Sequence, residues 1–231
     1  LPAKQAGGTG SVVSEWERRQ FHPHIVRIAS TAVAAVEVAP PGGSAAPSAS
    51  PFLPQEIRTM LFAEVVNFRR IAEHQLPAFV HDFKGEVARL VAALPEAPLA
   101  TESAGGTLYF VFAGLAEAAR LALDLRDFAA QMAWPKFGLP ADLNLRIVLH
   151  SGPVYSFPDP VTQRQTCLGA HVTRGMNVLP TVTPGQVFIS QEFAALAGAE
   201  RLTGVTMEFL GHLPTSHLFE AAPLYRLERR K

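Results

Sequence analysis

Cysteine is almost missing from this sequence. The single residue, Cys167, rules out an internal disulfide and suits a reducing compartment, so we expect a cytoplasmic location. No histidine or aspartate pattern near it would activate the thiol, and we expect it to be buried. The sequence also lacks an apolar run of the roughly 18–20 residues that a transmembrane helix needs. Nor does it open with a basic stretch followed by an apolar one, as a signal peptide would.

An excess of charge of either sign is missing as well. Lys and Arg together number 20, and so do Asp and Glu. A neutral balance gives no basic surface for nucleic acid or for an anionic membrane, so we expect neither as a partner. Hydrophobic residues make up 48% of the chain, which is enough for a packed core.

Local composition and apolar periodicity divide the chain into two parts. Residues 1–54 are weakly patterned, and 40–54 are rich in Pro, Gly, Ser and Ala, which is typical of a linker. From residue 55 to residue 231 the apolar residues recur with clear periods. We therefore expect a weakly structured N-terminal segment and linker (1–54) followed by one folded domain (55–231).

The periods in the second part predict an alternation of strands and helices. Strands are expected at 57–66, 107–112, 143–155, 185–190, 205–211 and 222–230, and helices at 76–94, 115–132, 171–182 and 191–200. Gly105 and Gly106 form a tight strand-to-strand turn before 107–112. The pattern predicts an α/β (α+β) fold: a ferredoxin-like βαββαβ core with a C-terminal αβ extension, in one antiparallel sheet with helices on one face.

Several ordered blocks resemble a known family. They are LFAEVVNF (61–68), GGTLYFVF (105–112), LRIVLHSGPVYSFPDPVTQR (145–164) and HVTRGMNVLPTVTPGQVF (171–188). Their order and spacing resemble the catalytic domain of class III adenylate/guanylate cyclases, most closely a bacterial subgroup. The resemblance covers about residues 56–230 and implies the class III cyclase fold.

The resemblance also implies a metal site, which this sequence alters. In active members two Asp carboxylates hold a pair of Mg²⁺ or Mn²⁺ ions against the triphosphate. The first position is Glu64, which keeps the charge on a longer side chain. The second is Gly106, which offers no ligand. Mg²⁺ or Mn²⁺ is therefore expected only if the chain is active.

The opposite wall of the implied site is altered too. The family's ribose-orienting Asn corresponds to Thr173, and its phosphate-binding Arg to Asn177, which is neutral and cannot replace a guanidinium. Arg174 is one position past Thr173, about 100° round the helix, so it should point elsewhere. A phosphate-contacting Lys corresponds to His217.

The base-reading positions of the family correspond to Glu102 and Thr166. An acid at the first position resembles guanylate cyclases. The histidines of the C-terminal half suggest a metal cluster by their number, but their spacing fits no common metal pattern, and a structural role is expected for them. These histidines are His150, His171, His212 and His217.

Class III sites lie between two domains, and here both halves are altered. The sequence therefore predicts a cyclase-homology (pseudo-cyclase) domain without activity, which serves signalling as a dimerisation, regulatory or nucleotide-sensing module. Its expected partner is a second copy or another cyclase-like domain, and its expected ligand is a purine nucleotide. The alternative is an active nucleotidyl cyclase with divergent metal ligands that converts ATP or GTP to a 3′,5′-cyclic nucleotide.

Overall fold

The computed structural model describes residues 53–212 and 223–230. The predicted segment 1–54 lies almost entirely outside these residues, so the expected domain boundary stays a prediction. His217 also lies outside them. Within the described ranges, no helix is both long and apolar enough to cross a membrane.

The described residues form eight strands and four helices. The strands are β1 (Gln55–Val66), β2 (Ala100–Ala104), β3 (Thr107–Phe112), β4 (Asn144–Pro158), β5 (Gln165–Leu168), β6 (Val187–Ser190), β7 (Val205–His212) and β8 (Pro223–Arg229). Helix α1 consists of Leu76–Ala78, a π-helical turn at Phe79–Lys84 and Gly85–Ala92; the others are α2 (Ala116–Gln131), α3 (Ala170–Val178) and α4 (Gln191–Ala199). Short 3-10 turns lie at Phe68–Arg70, Glu73–Gln75, Trp134–Phe137 and Leu179–Thr181.

The strands form one sheet in the order β2-β3-β1-β4-β6-β8-β7, with β5 paired to the far end of β4. The first four strands are antiparallel neighbours in the order of a ferredoxin-like core, so the predicted βαββαβ plan is confirmed. The prediction of a purely antiparallel sheet is wrong, because β6 runs parallel to β4. The chain crosses over through α3 between these strands, and a crossover returns a strand in the same direction.

Both faces of the sheet are apolar. Along β1, Leu61, Ala63 and Val65 belong to the core beneath α1, α2 and α4, whereas Met60 and Phe62 belong to a second core on the other face. Helix α3 packs on that second face through Val172 and Val178. The prediction that all helices share one face is therefore wrong for α3, because a strand that is apolar on both sides must be covered on both sides.

Helix α3 approaches β1 very closely. Gly175 is buried in the middle of the helix, and a Cβ atom at this position would lie 2.1 Å from a ring carbon of Phe62. The Phe62 ring is itself stacked on Tyr109, with the ring centroids 5.0 Å apart. The absent side chain of Gly175 therefore sets the height of α3 above the strand that carries Glu64.

Strand β5 was not expected from the sequence. Its four residues, Gln165–Leu168, are too few and too polar to show a period. The strand forms because the unusually long β4 extends to Pro158 and offers it backbone partners. Cys167 of β5 is buried, as predicted.

We predict that Gly175→Ala destabilises the fold. The added methyl group would overlap the buried Phe62 ring, and overpacking of this kind costs about 1–3 kcal/mol. Urea unfolding of wild type and variant measures the change in the free energy of unfolding. Gly198→Ala in α4 is the matched control, because no atom outside its chain neighbours and its own helix backbone lies within 4 Å of its new Cβ, and it should be neutral or stabilising. Equal effects of the two substitutions would contradict the close approach of α3.

Candidate nucleotide site and a buried histidine cluster

Glu64 lies near the end of β1, on the face that α3 covers. Its register partners are Thr107 of β3 and Arg146 of β4. One carboxylate oxygen, Oε2, lies 3.4 Å from Nη1 of Arg146, and both side chains are partly exposed. The carboxylate at the first predicted metal position therefore already has a cationic neighbour.

Gly106 is buried in the turn between β2 and β3. Its carbonyl oxygen accepts a hydrogen bond of 2.9 Å from the backbone N–H of Val65, so the turn is tied to the end of β1. A Cβ atom at this position would lie 2.8 Å from Cγ and 2.9 Å from Cβ of Phe68. Phe68 therefore fills the space that a metal-binding side chain would need at position 106.

These residues do not fit the pair of Mg²⁺ or Mn²⁺ ions that the family resemblance implies. Hard cations of this kind need several anionic or neutral oxygen ligands each. Position 106 supplies no side chain, and the remaining carboxylate, Glu64, lies beside Arg146.

Thr173 and Asn177 lie one turn apart on α3, and both side chains are exposed. Arg174, which was expected to point elsewhere, places Nη1 2.7 Å from Oε1 of Glu192 at the start of α4. The guanidinium nearest in sequence to the predicted phosphate wall is thus engaged by another carboxylate.

The two predicted base-reading residues meet across the sheet. Thr166 of β5 donates a hydrogen bond of 2.7 Å from Oγ1 to Oε1 of Glu102 on β2. Tyr109, the register partner of Glu102, is buried, and its hydroxyl has no hydrogen-bond partner among the described residues. Burial, with smaller contributions from Cys167 and Glu102, raises the pKa of Tyr109. A carboxylate, a threonine hydroxyl and a neutral phenol therefore lie close together on the sheet face that α3 covers.

The structure also brings together histidines that the sequence spacing keeps apart. His150 of β4 is 1% exposed, and its Nδ1 lies 2.8 Å from Oγ of Ser190, while its Nε2 lies 2.8 Å from Nδ1 of His171 on α3. Oε2 of Glu192 lies 3.7 Å from Nδ1 of His150. We call His150, His171 and Glu192 the histidine cluster.

The spacing argument against any metal-like grouping of the histidines missed this cluster, because its members come from three separate elements. One local signal was present. A Cβ atom at Gly152 would lie 2.2 Å from Nδ1 of His171, so the glycine two residues after His150 leaves the space that His171 occupies.

Both imidazoles of the cluster are neutral at neutral pH. Burial lowers the pKa of His150 to about 4, against an opposing contribution from Glu192. Burial and the nearby Arg174 also lower the pKa of His171. A neutral imidazole has one donor and one acceptor nitrogen, so the contacts of His150 form a hydrogen-bonded chain from Ser190 to His171.

Comparison with known proteins supports the fold and not the family. No protein-family profile matches the sequence, and no curated protein matches it either. Similar solved structures include the guanylate cyclase domain of RhGC from Catenaria anguillulae in complex with GTP, at 18% identity and a TM-score of 0.64, covering 76% of this chain and 98% of that one. The adenylyl cyclase CyaB from P. aeruginosa is similar at 13% identity and a TM-score of 0.62, covering 78% of this chain and 97% of that one.

The chain has the fold of a class III nucleotidyl cyclase catalytic domain. The fold predicted from the sequence blocks is thereby confirmed. At 18% identity or less the likeness carries no activity with it, and the roles of Glu64, Gly106, Thr173, Asn177, Glu102 and Thr166 stay predictions.

We predict that Gly106→Ala destabilises the chain through Phe68. The new methyl group would lie within 3 Å of three carbons of that side chain, which costs about 1–3 kcal/mol unless Phe68 moves. Urea unfolding of the two single variants and of Gly106→Ala/Phe68→Ala gives the coupling energy between the positions. Gly114→Ala is the control, because its Cβ meets only ordinary contact at 3.8 Å from Oε2 of Glu117. If the changes in unfolding free energy of the two single variants simply add up in the double variant, the predicted contact between position 106 and Phe68 is wrong.

We predict that stability falls as the pH is lowered from about 6.5 to about 4. The pKa of His150 is near 6.5 in the unfolded chain and about 4 in the folded one, so the unfolded state binds more protons in this window. His150 contributes a slope of at most about 1.4 kcal/mol per pH unit. Urea unfolding in EDTA at a series of pH values should give a shallower slope for His150→Gln than for wild type. If His150→Gln keeps the wild-type slope, His150 is not the source of the pH dependence of stability.

Proposed function

We propose that this chain is a cyclase-fold domain without cyclase activity, which serves signalling in the cytoplasm as a dimerising, nucleotide-sensing module. One observation carries the proposal. The second metal position is Gly106, and the space beside its backbone is filled by Phe68. Position 106 therefore lacks both a carboxylate and the space for one, because Phe68 packs against it.

The remaining metal-side residue does not compensate for this loss. Two-metal chemistry requires ligands that hold both ions against the attacking and leaving oxygens. Glu64 is a single carboxylate whose Oε2 lies 3.4 Å from Nη1 of Arg146. A metal ion at Glu64 would have to compete with this guanidinium.

The phosphate side lacks its cation as well. Charge develops on the transferring phosphoryl group, and an Arg or Lys side chain usually stabilises it. Asn177 is neutral, and Arg174 is paired with Glu192 on α4. Neither residue offers a free guanidinium to a nucleotide at this wall.

The base-reading region supports retained recognition of a purine. The Glu102 carboxylate accepts hydrogen bonds, as the ring N–H and amino groups of guanine require, and Thr166 can donate or accept. The buried Tyr109 hydroxyl adds a donor that has no partner among the described residues. Guanine nucleotides are therefore the first candidate ligand.

Dimerisation is proposed through the face that α3 covers. One large apolar side chain of this helix, Met176, remains exposed. Similar solved structures include both a dimeric and a monomeric form of the guanylyl cyclase domain of RhoGC from Blastocladiella emersonii. The proposed partner is a second copy or another domain with this fold.

We predict no formation of cyclic nucleotide from ATP or GTP with either Mg²⁺ or Mn²⁺. Gly106→Asp alone should not restore activity, because Phe68 occupies the space and Asn177 still lacks a charge. Chromatographic detection of the cyclic product against a no-protein blank is the measurement. Turnover that Glu64→Gln abolishes would refute the proposal and favour an active cyclase with divergent ligands.

The sensing part of the proposal has a separate test. Thermal unfolding with GTP should show a rise in Tm that is the same in EDTA and in Mg²⁺, and Glu102→Gln should reduce that rise. Glu96→Gln, which changes an exposed carboxylate in the loop before β2, is the matched control and should respond like wild type. The absence of any shift at millimolar GTP would leave dimerisation as the only proposed role.

A further inference from the structure

We propose that the histidine cluster, His150, His171 and Glu192, binds one divalent transition-metal ion, with Zn²⁺ as the first candidate. Each residue offers one ligand atom, and these atoms lie within 4.8 Å of one another. The three residues come from β4, α3 and the start of α4. An ion at this point would join the helix on one face of the sheet to the strand and to the following helix.

The donor set decides the class of ion. Two imidazole nitrogens and one carboxylate oxygen form a set that Zn²⁺ and neighbouring first-row metals prefer. Mg²⁺ and Ca²⁺ prefer oxygen ligands alone. The proposed site is therefore chemically different from the magnesium-type site implied at Glu64 and Gly106. It is also separate in space, because His150 lies four residues beyond Arg146 on β4, about 13 Å along the strand.

Bringing the two imidazoles onto one ion needs only a small adjustment, and the Glu192 carboxylate, whose Oε2 lies 3.7 Å from Nδ1 of His150, would have to turn toward Nε2. His150 Nε2 and His171 Nδ1 are 2.8 Å apart, which is a hydrogen-bond distance. Two ligands about 2.0–2.1 Å from a tetrahedral Zn²⁺ lie roughly 3.3 Å from each other. An ion would thus replace the hydrogen bond between the imidazoles and move them apart by about half an ångström. His171 and Glu192 are partly exposed, so an ion can enter and water can fill the remaining coordination positions.

Neighbouring groups hold the ligands in place. Oγ of Ser190 lies 2.8 Å from Nδ1 of His150 and fixes the ring of this buried residue. Arg174 contacts Oε1 of Glu192, while Oε2 lies 3.7 Å from Nδ1 of His150. Metal-binding imidazoles and carboxylates in proteins are oriented by partners of this kind, whose removal costs about 10–100-fold in affinity. Gly152 completes the site by leaving room for His171.

Calorimetric titration of the tag-free, EDTA-treated full chain with Zn²⁺ tests the proposal. We expect one ion per chain at this site, with the affinity reduced at least about tenfold in His171→Asn and in Glu192→Gln. These variants are chosen because both residues are partly exposed, whereas substitution of the buried His150 risks unfolding. The controls are His81→Asn and the double variant His22→Asn/His24→Asn, which remove other histidines and should leave this affinity unchanged.

Two further readouts distinguish a built site from general surface binding. Zn²⁺ should raise the Tm of wild type and of the controls but not that of His171→Asn, because only the folded chain brings the three ligands together. Co²⁺ should give the visible absorption bands of a nitrogen- and oxygen-coordinated site in wild type and lose them in Glu192→Gln. Failure of wild type to bind Zn²⁺ saturably, or wild-type affinity in both ligand variants, would overturn the proposal. Neither result depends on whether the chain binds nucleotide or lacks cyclase activity.

Discussion

The close approach of α3 to the sheet is the constraint on which both candidate sites depend. Gly175 lets the helix lie against the Phe62 ring, and Gly152 lets His171 lie over β4. A side chain at either glycine would lift the helix from the face that carries Glu64 and His150. Because packed interiors have almost no spare volume, one added methyl group here would move α3 and so change the distances from its side chains to Glu64 and His150.

Close packing also explains how this chain keeps the cyclase fold although the residues at the implied metal positions differ. The apolar residues of β1, β3 and β4 still form two continuous cores, and the sheet order of the cyclase fold follows from them. The turn at Gly106 contributes no apolar side chain to those cores. Phe68 lies beside this turn and packs against Phe79. We infer that stability at this turn now comes from packing, where the family resemblance implies a metal ligand.

Polar groups on the face that α3 covers lie in two separate regions. The hydrogen bond between Glu102 and Thr166 lies at the β2–β5 side, and the histidine cluster lies where β4, α3 and α4 meet. The first region fits recognition of a base, and the second fits a borderline metal ion. Neither region uses Glu64 or Gly106, so binding at either one does not depend on the magnesium-type site that the resemblance implies.

The sequence alone determined the strands and helices with strong periods, the βαββαβ order and the absence of a side chain at Gly106, because each of these depends on residues close together along the chain. It could not reveal the parallel pairing of β6 with β4, the position of α3 on the second face or the short strand β5. Nor could it reveal that Phe68 fills the space at Gly106, or that His150 meets His171 and Glu192. These features depend on contacts between residues far apart in sequence, and only the folded packing of helix against sheet fixes which of them touch.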